Sequence, residues 1–283
     1  MNLLIADSGS TKTDWRFIDG NRAILAFRSE GYNPQVRSAE EIAASMQKEV
    51  LVTLGERKPQ QVFFYGAGCG TPEKKQLLAN VISSIFGNNQ LKIEVDSDLL
   101  GAARSLCGPE RGIAAILGTG SNSCSFDGIN IIENRPSLGF ILGDEGSGAA
   151  LGKELLRKFL YDDLELRLKE NFVKRFDLNR AQILDHVYKE PLPNRYLASF
   201  AKFIFQNIEH PQCTELVIEN FRDFFAHHIL RYPDAKELPL HVTGSIGFYF
   251  SNLLRRVSEE QGIRLGRVTE TPIAGLLNYH IGE

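Results

Sequence analysis

The chain has 283 residues, of which 43% are hydrophobic and 24% charged, with 32 basic against 35 acidic residues and a net charge of -3. These values exclude a disordered, collagen-like or coiled-coil chain, and a chain of this length can bury a core without disulfide or metal staples. With neither a basic excess nor a basic stripe, nucleic acid is not expected as a partner.

Leu3-Leu4-Ile5-Ala6 is an apolar run of strand length, followed by the polar loop Asp7-Ser8-Gly9-Ser10-Thr11-Lys12-Thr13. Trp15, Phe17 and Ile18 then return as a second strand that ends in an Asp19-Gly20 turn, so the unit reads as a hairpin. The run Ile113-Ala114-Ala115-Ile116-Leu117 repeats this grammar, with the loop Gly118-Thr119-Gly120-Ser121-Asn122-Ser123, a return through Cys124-Ser125-Phe126 and an Asp127-Gly128 turn. A second unit type also occurs twice. Val62-Phe63-Phe64-Tyr65 leads through Gly66-Ala67-Gly68-Cys69-Gly70 into a helical segment over 73–86. Leu240-His241-Val242-Thr243 leads through Gly244-Ser245-Ile246-Gly247 into one over 248–261.

Two unit types, each present twice in one order, predict an internally duplicated α/β fold of two related domains facing each other across a cleft. The break at Gly108-Pro109 sets the expected domains at 1–108 and 109–283. Residues 149–232 are helix-rich and carry a stripe of Phe200, Phe203, Phe221, Phe224 and Phe225, read as a helical insertion in the second domain or as a dimer surface. His227-His228 lies in it without a carboxylate at metal-ligand spacing and is given no role.

Cys69, Cys107, Cys124 and Cys213 are widely spaced and read as reduced, buried thiols. The opening apolar run is too short for a signal peptide, and no run approaches the roughly 18 residues of a membrane span. A cytoplasmic protein with no membrane partner is expected.

Several familiar signals fail. Gly66-x-Gly68-x-Gly70 lacks the spacing of a dinucleotide fingerprint, Gly152-Lys153 is followed by Glu154 instead of a hydroxyl residue, and neither H-E-x-x-H nor G-x-S-x-G occurs. The two hairpin loops remain. Gly9, Ser10, Thr11 and Lys12 offer backbone N–H groups, hydroxyls and an ammonium, the donors a phosphate chain needs, and Asp7 can hold a hydrated Mg²⁺. Gly118-Thr119-Gly120-Ser121-Asn122 repeats the donors without the cation.

Leu91, Ile93 and Val95 alternate as a strand, after which Ser97 can cap a helix with Asp98 in its first turn. Asp98 then either complements the helix dipole or serves as a general base at a strand end. Gly143-Asp144-Glu145-Gly146-Ser147-Gly148 opens a long helix, and so many glycines point to close approach of backbone and ligand, with Asp144 as the functional carboxylate. Glu145 is either a helix-start charge or a partner of that site.

Taken in order, Asp7-x-Gly9-x-Thr11, Gly118-Thr119-Gly120-Ser121-Asn122, Gly143-Asp144-Glu145-Gly146-Ser147 and Gly244-Ser245 resemble the sugar kinase/actin superfamily. Within it, they look like the BadF/BadG/BcrA/BcrD-type ATPase branch that contains N-acetylglucosamine kinase, over nearly the whole chain. The resemblance implies two ribonuclease H-like, actin-like ATPase domains with ATP and Mg²⁺ as cofactors. It implies phosphate contacts at Thr11 and Thr119, and adenosine flanked by Ala198 and Gly244-Ser245. Asn33, Ser121, Asn122, Ser137, Leu138, Gly139 and Asp144 would surround an acetamido sugar, and Asp98 would be the catalytic base. Phosphorylation of the N-acetylglucosamine 6-hydroxyl by a homodimer is the implied activity. Vertebrate-type members carry glycine and tryptophan where Ser137-Leu138 stand, so glucosamine or N-acetylmuramic acid is the alternative substrate. An iron–sulfur activator would need cysteines in 139–152, which has none; a sugar sensor would not need the retained Asp98 and Asp144.

Overall fold

The computed structural model describes residues 2–87 and 90–282. The run Leu3-Leu4-Ile5-Ala6 is the centre of β1 (Leu3–Ser8), and its uninterrupted apolarity follows from a sheet covered on both faces. Leu4 and Ala6 enter a core with Trp15, Phe17, Ile42 and Leu78, whereas Leu3 and Ile5 face Ile273, Leu276 and Leu277. β1 pairs antiparallel with β2 (Lys12–Ile18), which pairs antiparallel with β3 (Ile24–Glu30). On its other side β1 runs parallel to β4 (Gln61–Gly66), and β4 to β5 (Lys92–Ser97), giving the order β3-β2-β1-β4-β5.

The second sheet repeats this plan strand for strand. β6 (Gly112–Leu117) stands for β1, β7 (Ser121–Phe126) for β2, β8 (Ile131–Arg135) for β3, β9 (Leu240–Thr243) for β4 and β10 (Leu265–Thr269) for β5, in the order β10-β9-β6-β7-β8. Directions match as well: β6–β7 and β7–β8 are antiparallel, β6–β9 and β9–β10 parallel. The duplication expected from the paired loops is thus present in the topology, and the fold is the two-sheet architecture of actin-like ATPase domains.

The chain forms two compact units. One runs to Pro109 and includes residues 128–130 and the segment from Pro272 onward; the other holds Glu110–Asp127 and Ile131–Thr271. The closing helix Ile273–Ile281 therefore belongs with the first sheet, which a single cut at residues 108 and 109 does not assign.

Both hairpin loops are tighter than the sequence suggests. The first is 9–11 and the second 118–120, because Ser8 pairs with Thr13 and Leu117 with Ser121. Ser121 and Asn122, expected in the loop, lie on β7. The segment expected as one helix over 248–261 is two, Ser245–Tyr249 and Ser251–Glu260. Residues 149–232 are helical as expected, and Phe200, Phe203, Phe221, Phe224 and Phe225 are all buried in the second unit's own core. That stripe is packing within the unit, not a dimer surface. All four cysteines are buried, and none is in a disulfide among the described residues. No helix among the described residues is long and apolar enough to cross a membrane.

Candidate active site

In the first unit, Asp7, Tyr65 and Asp96 lie level across β1, β4 and β5. Ligands bind beyond the carboxyl ends of parallel strands, and both candidate carboxylates stand there: Asp7 near the end of β1, Asp98 at the start of the helix Asp98–Cys107 that follows β5. Ser97 caps this helix as anticipated, accepting the Leu100 N–H at 3.2 Å. Burial pushes the Asp7 carboxyl up to about 7, with the negative charges of Asp98 and Asp14 adding to the rise and Lys12 opposing it. Burial also raises Asp98, against backbone N–H groups of Leu99 and of Asp98 itself that hold it down. Desolvated neighbouring carboxylates of this kind are suited to accepting a proton or to receiving a divalent cation.

The loop beside them is held from beneath. The Gly9 N–H donates to the Lys12 carbonyl at 2.9 Å, and the Gly31 N–H to the Thr11 carbonyl at 3.1 Å. Asn33, buried, donates from Nδ2 to Ser10 Oγ at 2.8 Å and accepts the Gln35 N–H at 2.9 Å. The Thr11 side chain is exposed at the loop tip. Lys12 is not free to act as a bare cation: its ammonium lies 3.3 Å from Asp14, whose other oxygen holds Arg28 at 2.6 Å.

The second unit gathers the other candidates. Asp144, buried and with a φ of 63°, accepts the Ser137 hydroxyl at 2.8 Å, and its Oδ2 lies against Gly120. Ser121, next along the chain, is 5% exposed, and its Oγ has no hydrogen-bond partner among the described residues. A buried hydroxyl in that state is one a ligand can satisfy. Asn122 is committed, its Oδ1 accepting both the Ser123 N–H and Asn134 Nδ2 at 2.9 Å. Leu138 is exposed and Gly139 opens the short helix Gly139–Leu142. Thr119 is exposed, while its carbonyl accepts the Ala149 N–H at 3.0 Å, tying the 118–120 loop to the helix Gly148–Leu160. Ala198 and Ser245 line one cavity of about 660 Å³ with Lys202, Phe205, Tyr249 and Phe250; Gly244 makes the turn into it with a φ of 110°. An apolar recess with aromatic walls and a few polar groups is a usual form for a small-molecule site.

No protein-family model and no curated protein matches the chain. Solved structures do. A candidate N-acetylglucosamine kinase from Porphyromonas gingivalis is 43% identical and superposes with a TM-score of 0.95, covering 99% of this chain and 99% of that chain. The chain belongs to the sugar kinase family.

The sugar kinase also resembles a candidate N-acetylglucosamine kinase from Chromobacterium violaceum, at 18% identity and a TM-score of 0.72 over 98% of each chain. The ethanolamine utilization protein EutJ of Carboxydothermus hydrogenoformans follows at 14% identity and 0.55, over 98% of this chain and 87% of that one. These two likenesses are of fold alone, and one fold hosts many functions. As a sugar kinase, the protein is a phosphotransferase.

Glu145, left open between two roles, faces His228: its Oε2 lies 3.2 Å from His228 Nε2. Sequence reasoning gave His228 no role and missed Asn220, which binds the Gly146 N–H, because nothing local connects a helix to a turn more than seventy residues earlier.

The raised Asp7 carboxyl makes a prediction for the ligand-free sugar kinase. Its folded-state pKa of about 7 exceeds the ordinary value of 3.8, so the unfolded chain releases this proton first as pH rises. Stability should therefore fall as pH climbs between those two values, and Asp7→Asn should remove that part of the slope. Thermal midpoints of both proteins, measured across that range, check this; parallel slopes would contradict it.

Proposed function

We propose that this sugar kinase transfers the γ-phosphoryl group of ATP to the 6-hydroxyl of N-acetylglucosamine. The full-length identity of 43% with a candidate N-acetylglucosamine kinase carries the reading. Asp98 accepts the hydroxyl proton as the sugar oxygen bonds to the γ-phosphorus; the bond to the bridging oxygen breaks, and ADP leaves. Its burial supports this role, since a raised carboxyl takes a proton near neutrality more readily than an exposed one.

Thr11 and backbone N–H groups of residues 10 and 11, with Thr119 in the second loop, bind phosphate oxygens, whereas the Gly9 N–H is held by the Lys12 carbonyl. Positioning with charge stabilisation supplies most of the catalysis. Ala198, Gly244 and Ser245 take the adenosine, supported by the cavity that Ala198 and Ser245 share. Asp144 accepts hydrogen bonds from sugar hydroxyls; Ser121, through its unpartnered Oγ, Asn33, Asn122 and the 137–139 segment complete the sugar site. No group of three His, Cys, Asp or Glu side chains among the described residues could hold a metal ion. Mg²⁺ suits such a site, because it keeps its waters and takes one carboxylate plus substrate phosphates. Asp7 would hold it through water, and the ion would neutralise charge on the transferred group. The 118–122 and 143–147 segments support a BadF/BadG-type branch, and that kinship supports a cytoplasmic homodimer.

A coupled ATP-consumption assay with Mg²⁺ across N-acetylglucosamine, glucosamine, N-acetylmuramic acid, N-acetylmannosamine and glucose tests the reading. Turnover confined to N-acetylglucosamine is expected. Preference for another sugar would move the specificity to the 137–139 segment, and no sugar-dependent turnover would overturn the proposal.

A further inference from the structure

The helix Pro211–His227 carries Asn220 and Phe224 four residues apart, and His228 at its cap extends the row by four more, so the three side chains share one face. All three meet the turn that follows Asp144. Asn220 Oδ1 accepts the Gly146 N–H at 2.9 Å, and its Nδ2 donates to the Ser147 carbonyl at 3.3 Å. Gly146, with a φ of 84°, lies so close to Phe224 that a Cβ there would stand 2.9 Å from the Phe224 Cβ and Cγ. His228, 4% exposed, stacks on Phe224 at a centroid distance of 5.3 Å and reaches Glu145 Oε2 with Nε2. Residues 145, 146 and 147 are thus each gripped by one helix face.

Asp144 itself sits in the left-handed region, where a residue with a side chain stays only if its surroundings hold it. On the other side its carboxylate is fixed by the Ser137 hydroxyl and by Gly120. We propose that Asn220, Phe224 and His228 are positioning residues that set sugar affinity by holding the 145–147 turn, and through it the Asp144 carboxylate, in its binding orientation. The inference rests on the reading of Asp144 as a sugar ligand given above. Each polar contact named above ends on the 145–147 turn, so the effect is expected on sugar.

The test is steady-state kinetics of His228→Leu and Asn220→Asp, with sugar varied at saturating ATP and the reverse, each repeated in an Asp144→Asn background. The expected result is a sugar KM raised about tenfold, the size of one lost hydrogen bond to a partly buried group, with the ATP KM unchanged. His228→Gln, whose amide N–H can stand where Nε2 stands, should restore the sugar KM. With Asp144 already replaced, His228→Leu should add little, because coupled positions are non-additive. Sugar and ATP KM rising together, or an equal His228→Leu effect in both backgrounds, would reduce the three residues to scaffold and overturn the inference. An unmoved sugar KM in an enzyme that saturates with sugar would overturn it as well. Failure of the wild-type enzyme to saturate with any sugar would instead remove the role of Asp144, and this inference with it.

Discussion

An Asp98→Asn enzyme is expected to bind N-acetylglucosamine and ATP as the wild type does and to turn over about 100- to 10,000-fold more slowly, the span attributed to a positioned general base. The substitution is nearly isosteric. The amide oxygen it introduces can still accept the Leu99 N–H that Asp98 Oδ1 accepts at 2.9 Å, and the Ser97 cap on Leu100 is untouched, so the helix start should survive. What disappears is the proton acceptor and a negative charge. Because burial raises Asp98, its ionised fraction grows as pH rises, and wild-type kcat/KM should climb with pH through that raised value. The variant's residual activity should lack this limb. The lost charge should also lower the Asp7 pKa, since Asp98 is one of the groups that lift it. Calorimetric binding of each substrate beside steady-state kcat separates the outcomes: undiminished kcat would deny Asp98 the role of base, and lost binding would make it a substrate ligand.

Gly31→Ala should be the other costly change, although Gly31 is not itself proposed to touch a substrate. A Cβ on Gly31 would overlap the Gly9 carbonyl oxygen and come within 2.6 Å of the Thr11 nitrogen, both backbone atoms that cannot swing aside. The 9–11 loop would have to lift, breaking the Gly31 N–H bond to the Thr11 carbonyl. A shift of about 1 Å at a catalytic contact can reduce turnover about 100-fold, and overpacking of this kind costs about 1 to 3 kcal/mol of stability. The expected signature is a large fall in kcat/KM for ATP at a modest loss in thermal midpoint. Unchanged ATP kinetics would mean that the loop does not carry phosphate.

The parts of the fold that were legible in the sequence are those that local chemistry determines. Leu3-Leu4-Ile5-Ala6 and Ile113-Ala114-Ala115-Ile116-Leu117 announced the two central strands because both faces of each are buried. Gly9 and Gly118 marked the hairpins, and Ser97 marked the helix that begins at Asp98. The edge strands β3, β8 and β10 were not read, because half-exposed edges mix polar and apolar residues and lose the simple alternation. In the site, the carboxylates and glycine loops stood out by residue type. Their supports did not: Asn33 under Ser10, Ser137 on Asp144, and His228 against Glu145 are contacts that only the folded chain creates. The unoccupied hydrogen-bonding capacity of Ser121 Oγ was likewise invisible, since burial decides it.

The placement of the closing helix with the first sheet has a consequence for biosynthesis. Leu3, Ile5 and Phe63 wait for Ile273, Leu276 and Leu277 to cover them, and those residues are synthesised only after the whole of the second unit. The second unit is complete once Thr271 has emerged, so the unit begun first is completed after the other. Until the segment from Pro272 onward is made, the nascent chain exposes part of one greasy sheet face, a natural hold for a chaperone. A premature stop just before Pro272 would release a protein whose N-terminal half, carrying Asp7 and Asp98, never closes.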